Sequence, residues 1–137
     1  MILFVCVDDR LGMAFNRRRQ SMDRLLRERL LSVCRGKRLF MSPYSAKQFA
    51  DADAASICAL PDYLEKAGPG DCCFVETDDV RPLEDSAEAI YLYRWNRRYP
   101  ADLYFSILLE AHGWTLETSA DFPGASHETI TEERYRR

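Results

Sequence analysis

The clearest alternation of residue types along the chain lies near residue 90 and predicts a β-strand. Residues 89–95 read A-I-Y-L-Y-R-W, so that aromatic residues alternate with Ile90, Leu92 and Arg94. Both faces of this segment are mostly apolar, which is typical of an interior strand covered on each side. Residues 96–102 break the pattern and Leu103–Phe105 resumes it, so we expect two antiparallel strands here.

Apolar runs elsewhere predict further strands and one long helix. The helix is indicated by apolar residues at helical spacing between Met22 and Val33, with Ser21 as its N-cap and Gly36 just past its end. Residues 8–16 are expected to form a loop, and residues 42–49, 62–67 and 80–87 short helices or turns. The other expected strands are Met1–Val7, Arg38–Met41, Ile57–Leu60, Cys72–Val75, Trp114–Glu117 and Ile130–Tyr135. Strands that alternate with helices predict an α/β sheet with short crossovers.

Length and composition indicate that residues 1–137 form a single globular domain. Apolar residues make up 47% and charged residues 30% of the 137 positions, which is typical of a folded domain with its own core. The longest apolar run, Met1–Val7, is too short to cross a bilayer and has no basic residue before it. We therefore expect a soluble, cytoplasmic protein without a membrane partner.

The cysteines and histidines do not form a metal-binding pattern. There are five cysteines, an odd number, and only two histidines. No C-x-x-C occurs, and the neighbours Cys72 and Cys73 would point to opposite faces of a strand. Reduced thiols in the core, and no metal site, are the expectation.

Charge is distributed unevenly along the chain. Nine basic residues lie between Arg17 and Arg38 against two acidic ones, a net charge of +7, which leaves −10 on the remainder of a chain whose total is −3. This asymmetry indicates either an anion-binding surface or an internal match with the acidic remainder. The candidates for anion binding are Arg17, Arg18, Arg19 and Arg24. A nucleic-acid surface would also be expected to carry aromatic residues among the arginines, and only Phe15 is close.

Several separated motifs, taken in order, resemble dihydrofolate reductases. They are V-D-D-R-L-G-M-A-F-N after the first strand, G-K-R-L-F-M-S-P-Y-S after the basic helix, and F-V-E-T-D-D-V-R-P-L before the strand at residue 90. The series is completed by A-I-Y-L-Y-R with P-A-D-L-Y-F and by the tail S-H-E-T-I-T-E-E-R-Y-R-R, which contains His127. The resemblance covers most of the chain. It implies a mixed, mainly parallel sheet flanked by helices, with a C-terminal antiparallel hairpin.

The resemblance implies a substrate pocket and a candidate catalytic acid. Asp23 is the carboxylate near the place of the family's acid, although an ungapped match from Gly12 puts Arg24 there instead. A helix first-turn aspartate favoured by the helix dipole is the alternative interpretation of Asp23. Tyr93 replaces a small hydroxyl residue of the family and would fill space in the pocket. The implied ligand-binding residues are Cys6, Val7, Gly12, Met13, Leu30, Phe74 and Tyr93.

The cofactor side departs further from the family. The family's Gly-Gly pair, which lets the pyrophosphate of NADPH approach the backbone, is matched by Val75-Glu76 or Glu76-Thr77. A family arginine is matched by Pro43, and the segment between Met41 and Phe74 is short. If a cofactor were retained, its contacts would fall at Lys37, Ser42, Glu76 and Thr77. The resemblance therefore implies a scaffold that has lost ordinary NADPH binding.

Three hypotheses for function follow. The first is a shortened dihydrofolate reductase-like domain without reductase activity that binds a small anionic ligand or a protein partner. The second is a minimal NADPH-dependent reductase acting on a folate-like or pterin-like substrate, and the third a nucleic-acid-associated protein using Arg17–Arg38. The pair Asp8-Asp9 either orients a ligand at the end of the first strand or ends that strand. In each case a monomer or a homodimer is expected.

Overall fold

Seven strands form one sheet whose central member is the first strand of the chain. The structure is a computed structural model that describes the backbone of residues 1–137 and every side chain except that of residue 52. The ten strands, in chain order, are β1 (Ile2–Val7), β2 (Gly12–Phe15), β3 (Arg18–Arg19), β4 (Leu39–Met41), β5 (Ile57–Ala59), β6 (Cys72–Phe74), β7 (Ala89–Arg94), β8 (Leu103–Tyr104), β9 (Thr115–Phe122) and β10 (Ile130–Arg136). The large sheet has the order β5-β4-β6-β1-β7-β10-β9.

The sheet is parallel from β5 to β7 and ends in an antiparallel hairpin. β1 pairs in parallel with β6 and β7, and β4 pairs in parallel with β5 and β6. β10 runs antiparallel to both β7 and β9. The mixed, mainly parallel sheet with a C-terminal hairpin is thereby confirmed, and so is the interior position of β7.

The helices are few and short. They are α1 (Arg24–Val33), α2 (Pro43–Ala46) and α3 (Tyr63–Lys66), with 3₁₀ helices at Asp51–Ser56 and Arg81–Ser86. Leu26 and Leu30 of α1 are buried against the sheet. Within the described chain, no helix has the length and apolar character needed to cross a bilayer.

Both faces of the sheet are covered by apolar side chains. On the α1 face, Leu26 and Leu30 pack with Phe4, Phe74 and Tyr93. On the other face, Leu3, Val5 and Val7 pack with Ile90, Leu92 and Trp114. Cys72 and Cys73 belong to opposite faces, as expected, and all five cysteines are free thiols. Because β1 contributes to both cores, it is the strand on which the two layers meet.

The predicted pairing of the strand at residue 90 with Leu103–Phe105 is wrong. β8 pairs with β2 in a separate small sheet of order β3-β2-β8, and Leu103 lies opposite Ala14. The segment after β7 does not fold back along β7, because the amide of Tyr99 donates to Asp8, 3.1 Å away. Residues 8–16, which were predicted to form a loop, contain strand β2.

Helix α1 begins two residues later than predicted, at Arg24. Its N-cap is Asp23, whose carboxylate accepts from the amides of Leu25 and Leu26, and not Ser21. The final hairpin is also longer than expected, since β9 extends to Phe122. Asparagine, aspartate and serine are comparable N-caps, so sequence alone could not separate Ser21 from Asp23.

Candidate functional site

The carboxyl ends of the neighbouring strands β1 and β6 lie side by side, at the point of the sheet from which the chain connections lead to opposite sides. The connection from β1 leads to β4 on one side of the sheet, and the connection from β6 leads to β7 on the other side of β1. Open α/β sheets bind ligands in the crevice at such a switch point. Here the region contains three buried carboxylates, Asp8, Asp23 and Glu76, which are 1%, 2% and 6% exposed.

Asp8 organises the loops that follow β1. One carboxylate oxygen, Oδ1, accepts from the amides of Arg10 and Gly12, each at 2.8 Å. The other, Oδ2, accepts from the amide of Tyr99 and the side-chain amide of Gln20, each at 3.1 Å. Burial alone would raise the pKa of Asp8, but these hydrogen bonds outweigh it and the pKa lies below its usual range. The four donors use the acceptor capacity of the carboxylate, so Asp8 holds loops together.

Glu76 follows β6 and forms a network with two other elements. Arg19 Nε lies 3.2 and 3.1 Å from the two carboxylate oxygens. Ser45 Oγ and Gln48 Nε2 donate to Oε1 at 2.7 and 2.9 Å. The Arg19 guanidinium also lies 4.1 Å from the ring centre of Tyr44. The crevice between β6, α2 and β3 is thus bridged by a charge-assisted network made from the chain itself.

Asp23 is enclosed by the turn that precedes β10. Its Oδ1 accepts from Leu25 N at 2.9 Å and Leu26 N at 3.1 Å, which caps α1. Its Oδ2 accepts from Ala125 N and Ser126 N, each at 2.9 Å, and lies 3.0 Å from His127 Nδ1. Burial would raise the pKa of Asp23, yet these bonds hold it well below its usual range. The carboxylate is ionised at neutral pH and has no exposed side-chain surface.

His127 links Asp23 to two hydroxyl groups. The ring stacks on Trp95 with centroids 4.5 Å apart, and its Nε2 lies 3.1 Å from Ser21 Oγ and 3.0 Å from Tyr99 Oη. The connectivity Asp–His–Ser also occurs in hydrolases. Here one nitrogen is shared between two hydroxyls and the residue is 6% exposed. The arrangement fixes the turn over Asp23.

The residues expected to line a substrate pocket are all buried. Cys6, Leu30, Phe74 and Tyr93 lie together in the core beneath α1. Val7 and Met13 belong to the core on the other face, and Gly12 lies in the turn around Asp8. Tyr93 packs edge-on against Phe122, and burial raises the pKa values of Tyr93 and Cys6. These six side chains and Gly12 contact protein, and the role of the seven residues in ligand binding stays a prediction.

The expected cofactor contacts are only partly brought together. Ser42 caps α2 and lies 3.2 Å from Ser45, which in turn contacts Glu76, and Thr77 is the next residue along the chain. Lys37 lies instead between the end of α1 and the start of β4. Lys37 is therefore at the amino end of β4, whereas Ser42 and α2 follow the carboxyl end of the same strand.

The expected anion-binding arginines fall into two groups. Arg19 is committed to Glu76, and Arg24 pairs with Glu28 on the exposed surface of α1 at 3.0 Å. Arg17 and Arg18 are exposed and make no ion pair with the described side chains. Elsewhere in the basic segment, Arg29 pairs with Glu132 and Arg38 with Asp71. An internal electrostatic match accounts for part of the basic segment and leaves Arg17 and Arg18 for solvent or a ligand.

A cavity lined by Arg18, the residue next to Arg17 in the chain, was not foreseen from sequence. It has a volume of about 280 Å³ and is lined by Phe15, Asn16, Arg18, Arg19, Gln20, Tyr99 and Pro100. Its walls come from the β2–β3 hairpin and from the loop after β7, and Phe15 and Tyr99 are more than 80 residues apart in the chain. The asparagine in F-N-R-R was the available signal, since asparagine favours two-residue hairpin turns.

Comparison with known proteins identifies the fold. A dihydrofolate reductase from Enterococcus faecalis, solved in complex with NADP(H) and RAB-propyl, superposes with a TM-score of 0.69. The match covers 99% of this chain and 95% of that chain at 8% sequence identity. No protein-family model and no curated protein matches the sequence. The chain therefore has a dihydrofolate reductase-like fold, and this likeness shows the fold alone.

Proposed function

We propose that this chain is a binding protein on a dihydrofolate reductase-like scaffold, that it does not carry out NADPH-dependent reduction, and that it binds a small anionic ligand or a protein partner. The observation that carries the proposal is the position of Glu76. Its buried carboxylate lies at the switch point of the sheet and is held by Arg19, Ser45 and Gln48.

The network at Glu76 does not fit the pyrophosphate of NADPH. A pyrophosphate beside the end of β6 would have to approach a buried carboxylate that carries the same sign of charge. Displacing Arg19 from Glu76 to free a cation would leave that carboxylate buried without its partner, which is costly. The neighbouring donors are also committed, since Ser45 and Gln48 already bond to Oε1. NADPH is therefore not expected to bind at this switch point.

The state of Asp23 supports the same proposal. A general acid must reach the atom that it protonates and must carry a proton near the working pH. Asp23 is enclosed by residues 124–127, and hydrogen bonds lower its pKa rather than raise it. As a structural cap of α1 and of the turn before β10, it needs no substrate.

The exposed arginines support an anionic partner. Arg10, Arg17, Arg18, Arg97 and Arg98 are all exposed, in the loop after β1, the β2–β3 hairpin and the loop after β7, which Asp8 connects. Their exposed acidic neighbours in the same loops are Asp9 and Asp102. A locally positive surface on a chain with a net charge of −3 favours the approach of anions.

A thermal-shift titration with NADPH, NADP, dihydrofolate and methotrexate tests the proposal. A ligand that binds the folded state at about 100 times its dissociation constant adds about 2.7 kcal/mol to the free energy of unfolding. We expect no saturating shift with dihydrofolate or methotrexate. Any shift with NADPH or NADP is expected to disappear in Arg17→Ala/Arg18→Ala. A saturating shift with either folate compound, or a cofactor shift that persists in that variant, would overturn the proposal.

A further inference from the structure

We propose that the cavity beside the β2–β3 hairpin binds a nucleotide unit, with its base against Phe15 and Tyr99 and its phosphate on Arg17 and Arg18. This inference rests on the proposed function only in placing an anion at the exposed arginines. It adds the chemical class of the ligand and its position. The same unit could come from a free nucleotide or from a single-stranded nucleic acid.

The shape of the cavity suits one ring system. Its volume of about 280 Å³ lies just below the range of about 300–1,000 Å³ that is typical of small-molecule sites. Phe15 is 50% exposed and forms one wall, and Tyr99 and Pro100 form another. A planar base with its sugar fits such a space better than a whole dinucleotide. Aromatic walls bind bases by stacking with little preference for sequence.

The fold supplies the aromatic residues that the basic segment lacks. In the sequence only Phe15 lies near the arginines. The loop after β7 places Tyr99 in the same cavity, although it is more than 80 residues away from Phe15. Aromatic rings beside exposed arginines are the combination that single-stranded nucleic-acid sites use.

The turn between β2 and β3 holds its arginine in an unfavourable backbone conformation. Asn16 and Arg17 have φ values of 52° and 61°, the left-handed region, and join Phe15 to Arg18 in a two-residue hairpin. Glycine is the residue that favours the second position of such a turn. A non-glycine residue there carries conformational strain, and strained residues cluster at functional sites. The arginine at this place therefore adds charge at a cost in stability.

The walls of the cavity are held by bonds that do not involve Arg17 or Arg18. Asn16 N donates to Asp102 at 3.1 Å, and Gln20 donates to Asp8 at 3.1 Å. The amide of Tyr99 donates to the same carboxylate. The site is thus formed before a ligand arrives, and the arginine side chains can be removed without removing the frame.

Binding is measured by titrating adenosine monophosphate, uridine monophosphate, inorganic phosphate and a labelled short single-stranded DNA into the full chain at low salt. Phe15→Ala is expected to weaken nucleotide binding about tenfold, because one base stacking contact is lost. Arg17→Ala/Arg18→Ala is expected to weaken it by at least as much. For the DNA it should also reduce the slope of log K against log salt by about 1.4. The matched control is Arg35→Ala/Lys66→Ala, which removes two exposed charges, one beyond the other end of α1 and one in α3.

Arg17→Gly separates binding from folding. Glycine relieves the left-handed conformation, so the melting temperature is expected to rise by about 3 °C. Nucleotide binding is nevertheless expected to weaken severalfold, because a phosphate contact is lost. Weaker binding in a more stable protein cannot be caused by unfolding.

The outcomes separate this inference from the proposed function. Binding of both monophosphates that depends on Phe15 supports a free nucleotide, and binding of the DNA alone supports a single strand. Phosphate binding that depends on Arg17 and Arg18 without any nucleotide preference would overturn the inference and leave the proposed function standing. The inference also fails if Phe15→Ala binds nucleotide as wild type does, or if the control variant loses as much affinity.

Discussion

Asp23→Asn separates a structural carboxylate from a catalytic one. The amide keeps one oxygen for the helix cap, where Leu25 N and Leu26 N donate. Its NH₂ group, however, faces donors from Ala125, Ser126 and His127. Hydrogen bonds to an ionised group contribute about 1.5–3 kcal/mol each, and this substitution loses about two of them. We therefore expect the free energy of unfolding to fall by about 4 kcal/mol.

Urea denaturation followed by circular dichroism measures this loss. With a slope of about 2 kcal/mol per molar urea, the midpoint should fall by about 2 M. The control is Asp85→Asn, whose side chain is fully exposed and should leave the midpoint unchanged. A catalytic acid waiting for a substrate would behave differently, since replacing such groups is neutral for stability or increases it. A midpoint within about 0.5 M of wild type for Asp23→Asn would refute the structural role of this carboxylate.

Three further changes test other parts of the structure. Asp8 and Asp23 both have pKa values in the folded state below the ordinary aspartate value of about 4. The stability that these ionised carboxylates contribute is therefore complete above about pH 4 and is lost as the pH falls through the folded values. Urea midpoints should accordingly decrease below about pH 4, and they should decrease less steeply in Asp23→Asn. Glu76→Ala should lower the free energy of unfolding by about 2–3 kcal/mol in the same assay, because Arg19 then lacks its partner, whereas Glu128→Ala on the surface should not. Gly12→Ala should lower the melting temperature, since its Cβ would lie 2.7 Å from Ala101 Cβ and 3.0 Å from the Asp8 carboxylate; an unchanged melting temperature would mean that this loop adjusts freely.

The fold could be predicted because its strands carry local patterns. β7 is mostly apolar on both faces and was expected as an interior strand, β1 was expected as a strand from its apolar run, and the sheet confirms both predictions. The partner of β8 could not be predicted, because it depends on Tyr99 being drawn to Asp8 across 91 positions of the chain. Short polar segments such as β2 and β3 carry little periodicity, so their pairing is decided by tertiary contacts.

The candidate site shows the same division. Glu76 was recognised in sequence because a carboxylate stood where the resemblance expected glycine. Its pairing with Arg19, however, joins residues 57 positions apart and was visible only in the structure. Asp23 was a candidate acid because the resemblance places the family's acid near this position. The turn that encloses it comes from residues 124–127, which no local pattern connects to the helix. Residue types indicated which groups mattered, and long-range contacts decided what they do.

The most direct test of the central claim is to measure NADPH oxidation by the purified full chain in the presence of dihydrofolate. A protein whose switch point is bridged by Arg19 and Glu76, and whose Asp23 is enclosed and ionised, should oxidise NADPH no faster than a buffer blank. A rate well above the blank that Asp23→Asn abolishes while remaining folded by circular dichroism, and that Asp85→Asn retains, would contradict the account and make this chain a working reductase.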